Sequence, residues 1–339
     1  MSISSHLAAI AEPQAIAARI FSLIASELAS VEEEFERQAR SNIQVVAYIG
    51  DYLRASGGKR VRPALTILSG YGAGGDASQP NVIRLATVME FLHTATLVHD
   101  DIIDNAETRR NRPSINSRFG NQTAVLMGDW LYMSAFEVSL AERSLPVLDI
   151  LTAVTRRMTE GELLQLTMLG SVDVTEEQYF DILMRKTAYL FSACCEIGAM
   201  LGTRDLNMQR ALRDYGMNLG TAFQLVDDLL DFTATDDALG KAAGVDLLEG
   251  KLTLPLIYLL ETERGMRAPT QAVMRDGGYE TISRAALMRA AEQSGAIERA
   301  RARANDFANA ARKSLDVLPH TKYRDALSSI PTFILERDR

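Results

Sequence analysis

The chain has 339 residues, of which 47% are hydrophobic, and a formal net charge of −8 at pH 7. This length allows a sizeable core, and the negative charge opposes non-specific binding to nucleic acid or to anionic membranes. Residues 1–38 lack the pattern of a signal peptide, and no apolar run is long enough to span a membrane. Cys194 and Cys195 are adjacent, so we expect two reduced core thiols rather than a disulfide. We therefore predict a cytoplasmic protein.

Helical periodicity dominates the chain, and convincing alternating strands are lacking. We predict an all-α fold, in which a single large bundle of mostly antiparallel helices surrounds a deep central cavity and residues 1–339 form one domain. Asp205 is a predicted N-cap, and Thr175 with Gln178 resembles a capping box. The predicted helices cover residues 14–40, 42–55, 60–70, 80–105, 115–140, 146–169, 175–202, 206–233, 252–261, 280–293, 296–317 and 321–336.

A basic segment separates the second and third predicted helices. It reads GGKRVRP and places Lys59, Arg60 and Arg62 after two glycines. Three cations on a flexible backbone suit a diphosphate, although the phosphate-binding P-loop pattern is absent. Taken alone, a solvated basic turn is an equally good interpretation.

The fourth predicted helix carries the first of two acidic motifs. Asp100, Asp101 and Asp104 form a DDxxD inside LVHDDIID. Positions i and i+4 share one face of a helix, so Asp100 lies over Asp104, and His93 lies on the same face. His99 points elsewhere, and we interpret it as structural.

Two further basic pairs follow along the chain. Arg109 and Arg110 lie just beyond the end of the first acidic helix, and arginine forks suit phosphate oxygens. Lys186 and Thr187 place a lysine beside a hydroxyl in an otherwise apolar helix. Lys186 alone is also compatible with an ordinary lysine at a helix end.

The eighth predicted helix carries the second acidic motif. Asp227, Asp228 and Asp231 repeat the spacing inside QLVDDLLDF, and Gln224 lies one turn earlier. A single DDxxD is common on solvated helix faces, but surface charge does not explain two copies in apolar surroundings. Six carboxylates among apolar residues would repel one another unless cations neutralise them. Hard divalent cations such as Mg²⁺ fit this need.

A glycine-rich loop follows the second motif, and its Lys241 and Lys251 could fold over a bound anion. Together the motifs predict a site for metal ions and a polyanionic phosphate inside an apolar helical cavity. The chemistry that suits such a site is ionisation of a phosphate ester with an apolar tail. Metal ions would neutralise the leaving diphosphate, and the cavity would keep water from a carbocation.

These residues closely resemble the trans-isoprenyl diphosphate synthases, also called polyprenyl synthetases. The shared motifs occur in the family's order over nearly the whole chain: GGKRVRP, the first DDxxD with its arginine pair, GDWL, KTA, FQLVDDLLD and GKAAGVDLLEGKLTLP. The resemblance implies an all-α protein, usually a homodimer, that condenses isopentenyl diphosphate with an allylic diphosphate. Many relatives have glycine where this chain has Asn111, a loop position.

The resemblance also implies a role for each matching residue. The acidic motifs would hold about three Mg²⁺ ions per active site. The implied metal ligands are Asp100, Asp101, Asp104, Asp227, Asp228 and Asp231, which with Lys186 and Lys241 would carry catalysis. Those implied for isopentenyl diphosphate are Lys59, Arg62, His93 and Arg110. Those implied for the allylic diphosphate are Arg109, Lys186, Thr187, Gln224 and Lys241.

Product length in the family resembles a ruler made of helix side chains below the allylic site. Ala95 and Thr96, the fifth and fourth residues before Asp100, are small and leave the cavity open. We therefore expect a long-chain all-trans synthase, with octaprenyl diphosphate favoured. The candidates for a deeper floor are Met127, Leu131, Tyr132, Met133 and Phe136.

Two alternatives stay open. A farnesyl or geranylgeranyl diphosphate synthase would share every motif except the small pair before the first DDxxD. A non-catalytic partner subunit of a heteromeric synthase would have the same fold, but such subunits typically lose an acidic motif, and both motifs are intact here.

Overall fold

The computed structural model describes residues 15–55, 57–110, 112–234 and 243–336, and within them the chain is almost entirely helical. The only strands in this part of the chain are β1 (Thr108–Arg109) and β2 (Arg112–Pro113), which pair as an antiparallel hairpin. The prediction of an all-α fold is therefore confirmed. Asn111 and Lys241 lie outside the described residues.

Residues 15–22 are helical, and the helices that follow are joined mostly by short connections. They are α1 (Ala25–Ala39), α2 (Gln44–Ala55), α3 (Val61–Gly72), α4 (Pro80–Ile103), α5 (Ile115–Phe119), α6 (Asn121–Ala141), α7 (Leu145–Met168), α8 (Glu176–Leu183), α9 (Tyr189–Gly202), α10 (Leu206–Thr233), α11 (Val245–Leu248), α12 (Leu254–Thr262), α13 (Arg267–Asp276), α14 (Arg284–Gln293), α15 (Ala296–Ser314) and α16 (Lys322–Leu335). Single 3₁₀ turns lie at Arg264–Met266 and Leu315–Val317. No helix among the described residues has both the length and the apolar character that a membrane span needs.

The core centres on α9, whose side chains are almost all buried. This helix packs against α3 and α10, while α4 packs against α6, and α10 also packs against α15. Phe91 of α4, Phe191 of α9 and Tyr215 of α10 are fully buried between these helices. Cys194 and Cys195 are buried free thiols, as predicted, and burial raises the pKa of Cys195 to about 12.

Capping side chains fix the start of two helices at the predicted positions. Asp205 accepts hydrogen bonds from the backbone N–H groups of Asn207 and Met208 at the start of α10. Thr175 and Gln178 form a reciprocal capping box at the start of α8. The observed bounds of α10, Leu206–Thr233, match the predicted helix. The cap therefore fixes the register of the helix that carries the second acidic motif.

A π-helical turn at Met184–Ala188 interrupts the predicted helix 175–202 and separates α8 from α9. Such turns insert one extra residue and often occur at functional sites. Gly161 of α7 allows the turn to approach closely, because a Cβ there would lie only 2.6 Å from the Cβ of Arg185. The apolar pattern continues through the turn, so the sequence does not predict the interruption.

Three other predictions of helices differ from the structure. The predicted helix 14–40 is divided by a turn at residues 23–24, and the predicted helix 115–140 is divided at Gly120 into α5 and α6. Helix α13 was not predicted. Its buried residues are Thr270, Val273 and Met274, and so short an apolar face gives little periodic signal.

Candidate active site

The first acidic motif lies at the C-terminal end of α4, and cations contact two of its carboxylates. Asp101 is 3% exposed and accepts hydrogen bonds from Arg109, with Nε at 2.7 Å and Nη2 at 2.6 Å from Oδ1. Asp104 is the C-cap of α4, and the Nζ of Lys251 lies 3.1 Å from its Oδ1. Burial raises the pKa of Asp100 to about 6, against the opposing charge of a lysine across the cavity.

The second acidic motif lies inside α10, where neutral side chains hold its buried member. The Tyr179 hydroxyl donates to Oδ2 of Asp228 at 2.5 Å, and the Gln224 amide donates to Oδ1 at 2.9 Å. Burial raises the pKa of Asp228 to about 6, and the neighbouring carboxylates of Asp227 and Asp231 add to the rise. The motif therefore concentrates negative charge in a poorly solvated place, which is where a cation binds favourably.

The loop after α10 contacts both motifs. The backbone N–H of Gly244 donates to the carbonyl of Asp231 at 2.7 Å, and that of Asp246 donates to the Asp231 side chain at 3.1 Å. The same loop carries Lys251, which reaches Asp104 of the first motif. Lys251 was predicted only as a lysine that could cover a bound anion, without a partner in the acidic motifs. The structure places it on Asp104 and in the wall of the cavity that Asp228 also lines.

The π turn presents Lys186 and Thr187 to the second motif. The Nζ of Lys186 lies 2.5 Å from an oxygen of Glu162 and donates to Gln165 at 3.0 Å. The Thr187 hydroxyl donates to Oε1 of Gln224 at 2.9 Å. Because Gln224 in turn donates to Asp228, Thr187 and Gln224 are joined to the second motif by hydrogen bonds, whereas Lys186 bonds to Glu162 and Gln165 of α7.

A cavity of about 170 Å³ opens beside this network. Four of the residues predicted from sequence line it: Lys186, Thr187, Gln224 and Asp228. Apolar side chains such as Leu183 form other parts of its wall. The structure therefore brings an ammonium group, a hydroxyl, an amide and a carboxylate together at the edge of an apolar space.

A second cavity, of about 50 Å³, contains basic side chains from the segment before α3 and from the hairpin. His93, Arg109 and Arg110 line it, together with Arg60 and Glu90. Arg109 therefore lies with the residues predicted for isopentenyl diphosphate and not in the cavity that Lys186 lines. Glu90 was not predicted as a site residue, although a glutamate inside the apolar run TVMEFLH indicates a buried partner. Arg60 was predicted as one of three cations for a diphosphate, but its guanidinium pairs with Glu90.

The basic cavity suits an anion. Burial lowers the pKa of His93 well below its usual range, and the charges of Arg62 and Arg110 lower it further, so the imidazole is neutral. The Arg62 guanidinium lies 5.1 Å from the Phe191 ring, and its buried Nε has no hydrogen-bond partner among the described residues. Lys59 is exposed. Clustered cations and an unsatisfied buried donor are what a diphosphate would complete.

The two residues predicted to control product length lie on different sides of α4. Thr96 is one turn before Asp100 on the acidic face, and its hydroxyl donates to the carbonyl of His93 at 2.7 Å. Ala95 is fully buried, one turn before His99. The Nε2 of His99 lies 3.1 Å from the carbonyl oxygen of Val125, so this side of α4 faces α6. His99 points away from the acidic face, as predicted.

The candidates for a cavity floor on α6 differ in burial. Met127 and Leu131 are buried, and Tyr132 and Phe136 are half-buried. Burial and the nearby charge of Asp100 raise the pKa of Tyr132 well above its usual range. Met133 is 62% exposed, and its side chain points out of the protein, on the opposite side of α6 from the core. The prediction that Met133 forms part of the cavity floor is therefore wrong.

The six aspartates fit a divalent cation that is bound together with a phosphate ligand. Among the described residues, no three histidine, cysteine or acidic side chains converge as a ready-made metal cage. Mg²⁺ commonly takes only one or two carboxylates and completes its shell with water and phosphate oxygens. The hard oxygen donors and the raised pKa values of Asp100 and Asp228 agree with such a shared site.

Sequence similarity to known proteins extends over nearly the whole chain. The polyprenyl synthetase family model matches residues 43–286. The octaprenyl diphosphate synthase of Escherichia coli (strain K12) is 36% identical over 323 residues, which cover 95% of this chain and 99% of that relative.

Solved structures share the fold over a similar extent. A decaprenyl diphosphate synthase from Rhodobacter capsulatus has a TM-score of 0.90 and 34% identity, and the match covers 95% of this chain and 99% of that one. A polyprenyl synthase from Caulobacter crescentus CB15, complexed with calcium and isoprenyl diphosphate, has a TM-score of 0.87 and 34% identity, covering 95% and 98%.

Proposed function

The chain belongs to the polyprenyl synthetase family and is a prenyltransferase, and from this premise we propose that it is a long-chain all-trans polyprenyl diphosphate synthase. It condenses isopentenyl diphosphate head-to-tail with an allylic diphosphate and releases diphosphate. The observation that carries the proposal is the hydrogen-bonded chain from Thr187 through Gln224 to Asp228, which lines one cavity together with Lys186.

Octaprenyl diphosphate is the favoured product. Ala95 and Thr96 are small, so the space below the first acidic motif is not closed by an aromatic ring at these positions. The Escherichia coli relative is named for an octaprenyl product and the Rhodobacter capsulatus structure for a decaprenyl product, and both names are of long-chain enzymes. These observations favour a long product over a farnesyl or geranylgeranyl one.

We assign one of the two substrates to each cavity. Lys186, Thr187, Gln224 and Lys241 bind the allylic diphosphate, and Arg109 reaches it from the basic cavity, where it pairs with Asp101 of the first motif. The isopentenyl diphosphate is bound at the basic cavity, by His93 and Arg110 of its wall and by Lys59 and Arg62 beside it. A neutral His93 donates one hydrogen bond without repelling the surrounding arginines.

The acidic motifs hold Mg²⁺, about three ions per active site, through Asp100, Asp101 and Asp104 on one side and Asp227, Asp228 and Asp231 on the other. When bound, Mg²⁺ neutralises the charge of the departing diphosphate. The side chains of the cavity orient the allylic group and exclude water from the cationic carbon. The double bond of isopentenyl diphosphate then attacks that carbon, and the resulting cation loses a proton to the departing diphosphate, so no side chain acts as a nucleophile.

Product analysis tests the proposal. The purified protein is incubated with Mg²⁺, farnesyl diphosphate and labelled isopentenyl diphosphate, and the dephosphorylated products are sized by mass spectrometry. We expect an octaprenyl product or a neighbouring long chain. A farnesyl or geranylgeranyl product would keep the reaction but contradict the length assignment. No product with fresh substrates and metal would favour the non-catalytic partner subunit.

We also propose that the chain, as a single domain, forms a homodimer through α6 and α7. Leu126, Met133 and Leu140 of α6 recur every seven residues and are 68%, 62% and 50% exposed. Leu163 and Leu166 of α7 are 59% and 43% exposed. A continuous apolar row on adjacent helices is typical of an interface, and a second copy supplies a matching row by two-fold symmetry.

Sedimentation velocity tests the dimer. The double variant Leu126→Glu with Met133→Glu would place two charges in the row, and we expect it to sediment as a monomer. Leu206→Glu, at an equally exposed leucine on α10, is the matched control and should leave the dimer intact. A wild-type monomer, or a double variant that stays dimeric, would contradict this interface. The cytoplasmic location stays a prediction.

A further inference from the structure

A buried glutamate lies inside the basic cavity assigned to isopentenyl diphosphate. Glu90 of α4 is 4% exposed and lies one helical turn before His93. It lines the cavity together with Arg109 and Arg110. A carboxylate repels an anionic ligand, so its position inside an anion site needs a physical reason.

Arg60 supplies that reason. Its Nη1 donates to Oε1 of Glu90 at 2.7 Å, and its Nη2 donates to Oε2 of Glu32 at 3.0 Å. The guanidinium is thus held by two carboxylates, and the side chain is only 13% exposed. Its donors are directed at protein acids, which makes Arg60 a fixed part of the structure and not a ligand for the substrate.

The backbone of Arg60 shows what the two carboxylates hold in place. Its φ of +48° lies in the left-handed region, which is rare for residues other than glycine and costs free energy. The residue is also the N-cap of α3, so its left-handed conformation sets the direction in which the helix leaves the glycine segment. Lys59 precedes Arg60, and Arg62 follows it in the helix. The resemblance implies Lys59, Arg62 and Arg110 as cations for isopentenyl diphosphate, and we call these three the clamp. The first two are oriented by the conformation of Arg60.

The turn also brings the glycine segment against Arg110. The Nη1 of Arg110 donates to the carbonyl of Gly57. A Cβ on Gly58 would lie 3.0 Å from the Nη1 of Arg110 and 3.1 Å from the Nη1 of Arg60, so glycine lets both guanidinium groups flank the backbone. Displacement of Arg60 would release this contact and with it a third cation of the clamp.

We propose that Glu90 is a positioning residue for the isopentenyl diphosphate clamp: it holds Arg60 in the left-handed turn that orients Lys59 and Arg62. The inference rests on the proposed function, since it assumes that this cavity takes isopentenyl diphosphate. Glu90 acts through Arg60 and does not contact the substrate.

Three physical roles for Glu90 predict different results for Glu90→Gln. If Glu90 only balances charge, its removal makes the cavity more positive, and isopentenyl diphosphate binds more tightly. If Glu90 only supports the fold, the melting temperature falls and both substrates are affected alike. If Glu90 positions the clamp, binding of isopentenyl diphosphate weakens while binding of the allylic substrate does not change.

The experiment uses the full chain and the variants Glu90→Gln, Arg60→Met and their combination. Calorimetry measures the Kd of isopentenyl diphosphate without allylic substrate, and steady-state kinetics with Mg²⁺ measure KM for isopentenyl diphosphate and for farnesyl diphosphate. We expect Glu90→Gln to raise the Kd and KM for isopentenyl diphosphate by about tenfold. The KM for farnesyl diphosphate should stay unchanged. The double variant should be no worse than Arg60→Met, because both changes break the same link.

Glu142→Gln is the matched control. Glu142 forms an ion pair with Arg84 at the other end of α4, and its removal should leave both KM values unchanged. An unchanged or lower Kd for isopentenyl diphosphate in Glu90→Gln would overturn the inference, as would an equal rise of both KM values with a lower melting temperature. A wild-type protein that binds no isopentenyl diphosphate would overturn the proposed function as well, whereas wild-type binding with an unaffected Glu90→Gln would overturn the inference alone.

Discussion

Asp101 and Asp104 of the first acidic motif pair with cations, whereas Asp228 of the second is held by neutral hydrogen-bond donors, although both motifs have the spacing DDxxD. In the first, Asp101 pairs with Arg109 and Asp104 pairs with Lys251. In the second, Asp228 accepts hydrogen bonds from a phenol and an amide. Their places in the fold differ as well, because α4 ends at the first motif whereas the second lies within α10.

Equal spacing therefore does not imply equal surroundings. The lysine on the partly exposed Asp104 can be exchanged for a metal ion, because such an ion pair contributes little net stability. A buried hydrogen bond to a carboxylate fixes the direction of an oxygen atom. We therefore interpret Asp104 as adjustable and Asp228 as a fixed part of the cavity wall.

The largest expected effect comes from removing one carboxylate from either motif. If both motifs are needed to neutralise the leaving diphosphate, Asp100→Ala and Asp227→Ala should each lower turnover by about a thousandfold or more. Steady-state kinetics with saturating Mg²⁺ measure the loss, and Asp149→Ala on the exposed face of α7 is the control. Near-wild-type turnover in either variant would show that one motif suffices and would contradict the claim that both are needed.

A second variant tests whether the growing product passes beside α4, below the first acidic motif. Ala95→Phe places a ring in a fully buried position one turn before His99. We expect products shortened to farnesyl or geranylgeranyl length, with turnover retained, because the ring would close the space below the allylic group. Mass spectrometry measures the length of the products. Thr96→Ser is the control, because it replaces one small residue by another. Unchanged product length would mean that this side of α4 does not border the product.

Two variants compare the neutral partner of Asp228 with the charged partner of Asp104. Tyr179→Phe removes a donor from a buried carboxylate and should lower the free energy of unfolding by about 1–3 kcal/mol, independently of salt. Lys251→Met removes a partly exposed ion-pair partner and should cost about 0.2–1 kcal/mol, and less at high salt. Urea unfolding of the metal-free protein at two salt concentrations measures both. Equal salt sensitivity of the two variants would contradict the distinction.

The smallest expected effect is one that the two motifs share. Asp100 and Asp228 have pKa values raised to about 6 by burial, so the folded metal-free protein binds more protons than the unfolded chain between about pH 4 and about pH 7. Their destabilising charge in the folded protein is therefore largely absent at about pH 4, half developed at about pH 6 and nearly complete at about pH 7.5. Mg²⁺ should raise the melting temperature more at pH 7.5 than at pH 5. The opposite trend in thermal scans would show that these carboxylates do not meet the metal.

Much of the site could be predicted because its chemistry is local in sequence. The spacing of four residues in each DDxxD, and the cap at Asp205, fix which side chains share a face. Lys186, Thr187 and Gln224 were predicted as one group, and the structure places them in the wall of one cavity. These features depend on neighbours within one or two helical turns, which the sequence shows directly.

The remaining features depend on contacts between distant segments. The bond between Tyr179 and Asp228 spans 49 residues, and that between Lys251 and Asp104 spans 147. No local pattern marks either partner. Met133 was misplaced for the same reason, because which side of α6 faces the core is decided by α4 and not by the composition of α6 itself.

The π turn at Met184–Ala188 absorbs one residue between α8 and α9 without changing the direction in which either helix faces. Its five residues wind about as far round the axis as four residues of an α-helix, so deletion of one residue here would restore a regular α-turn and leave α8 and α9 nearly in phase. The phenol of Tyr179 would keep its place beside the second motif, while Lys186 and Thr187, inside the turn, would change direction. At this point of the chain, a change in length acts on the side chains of the turn and not on the helices around it.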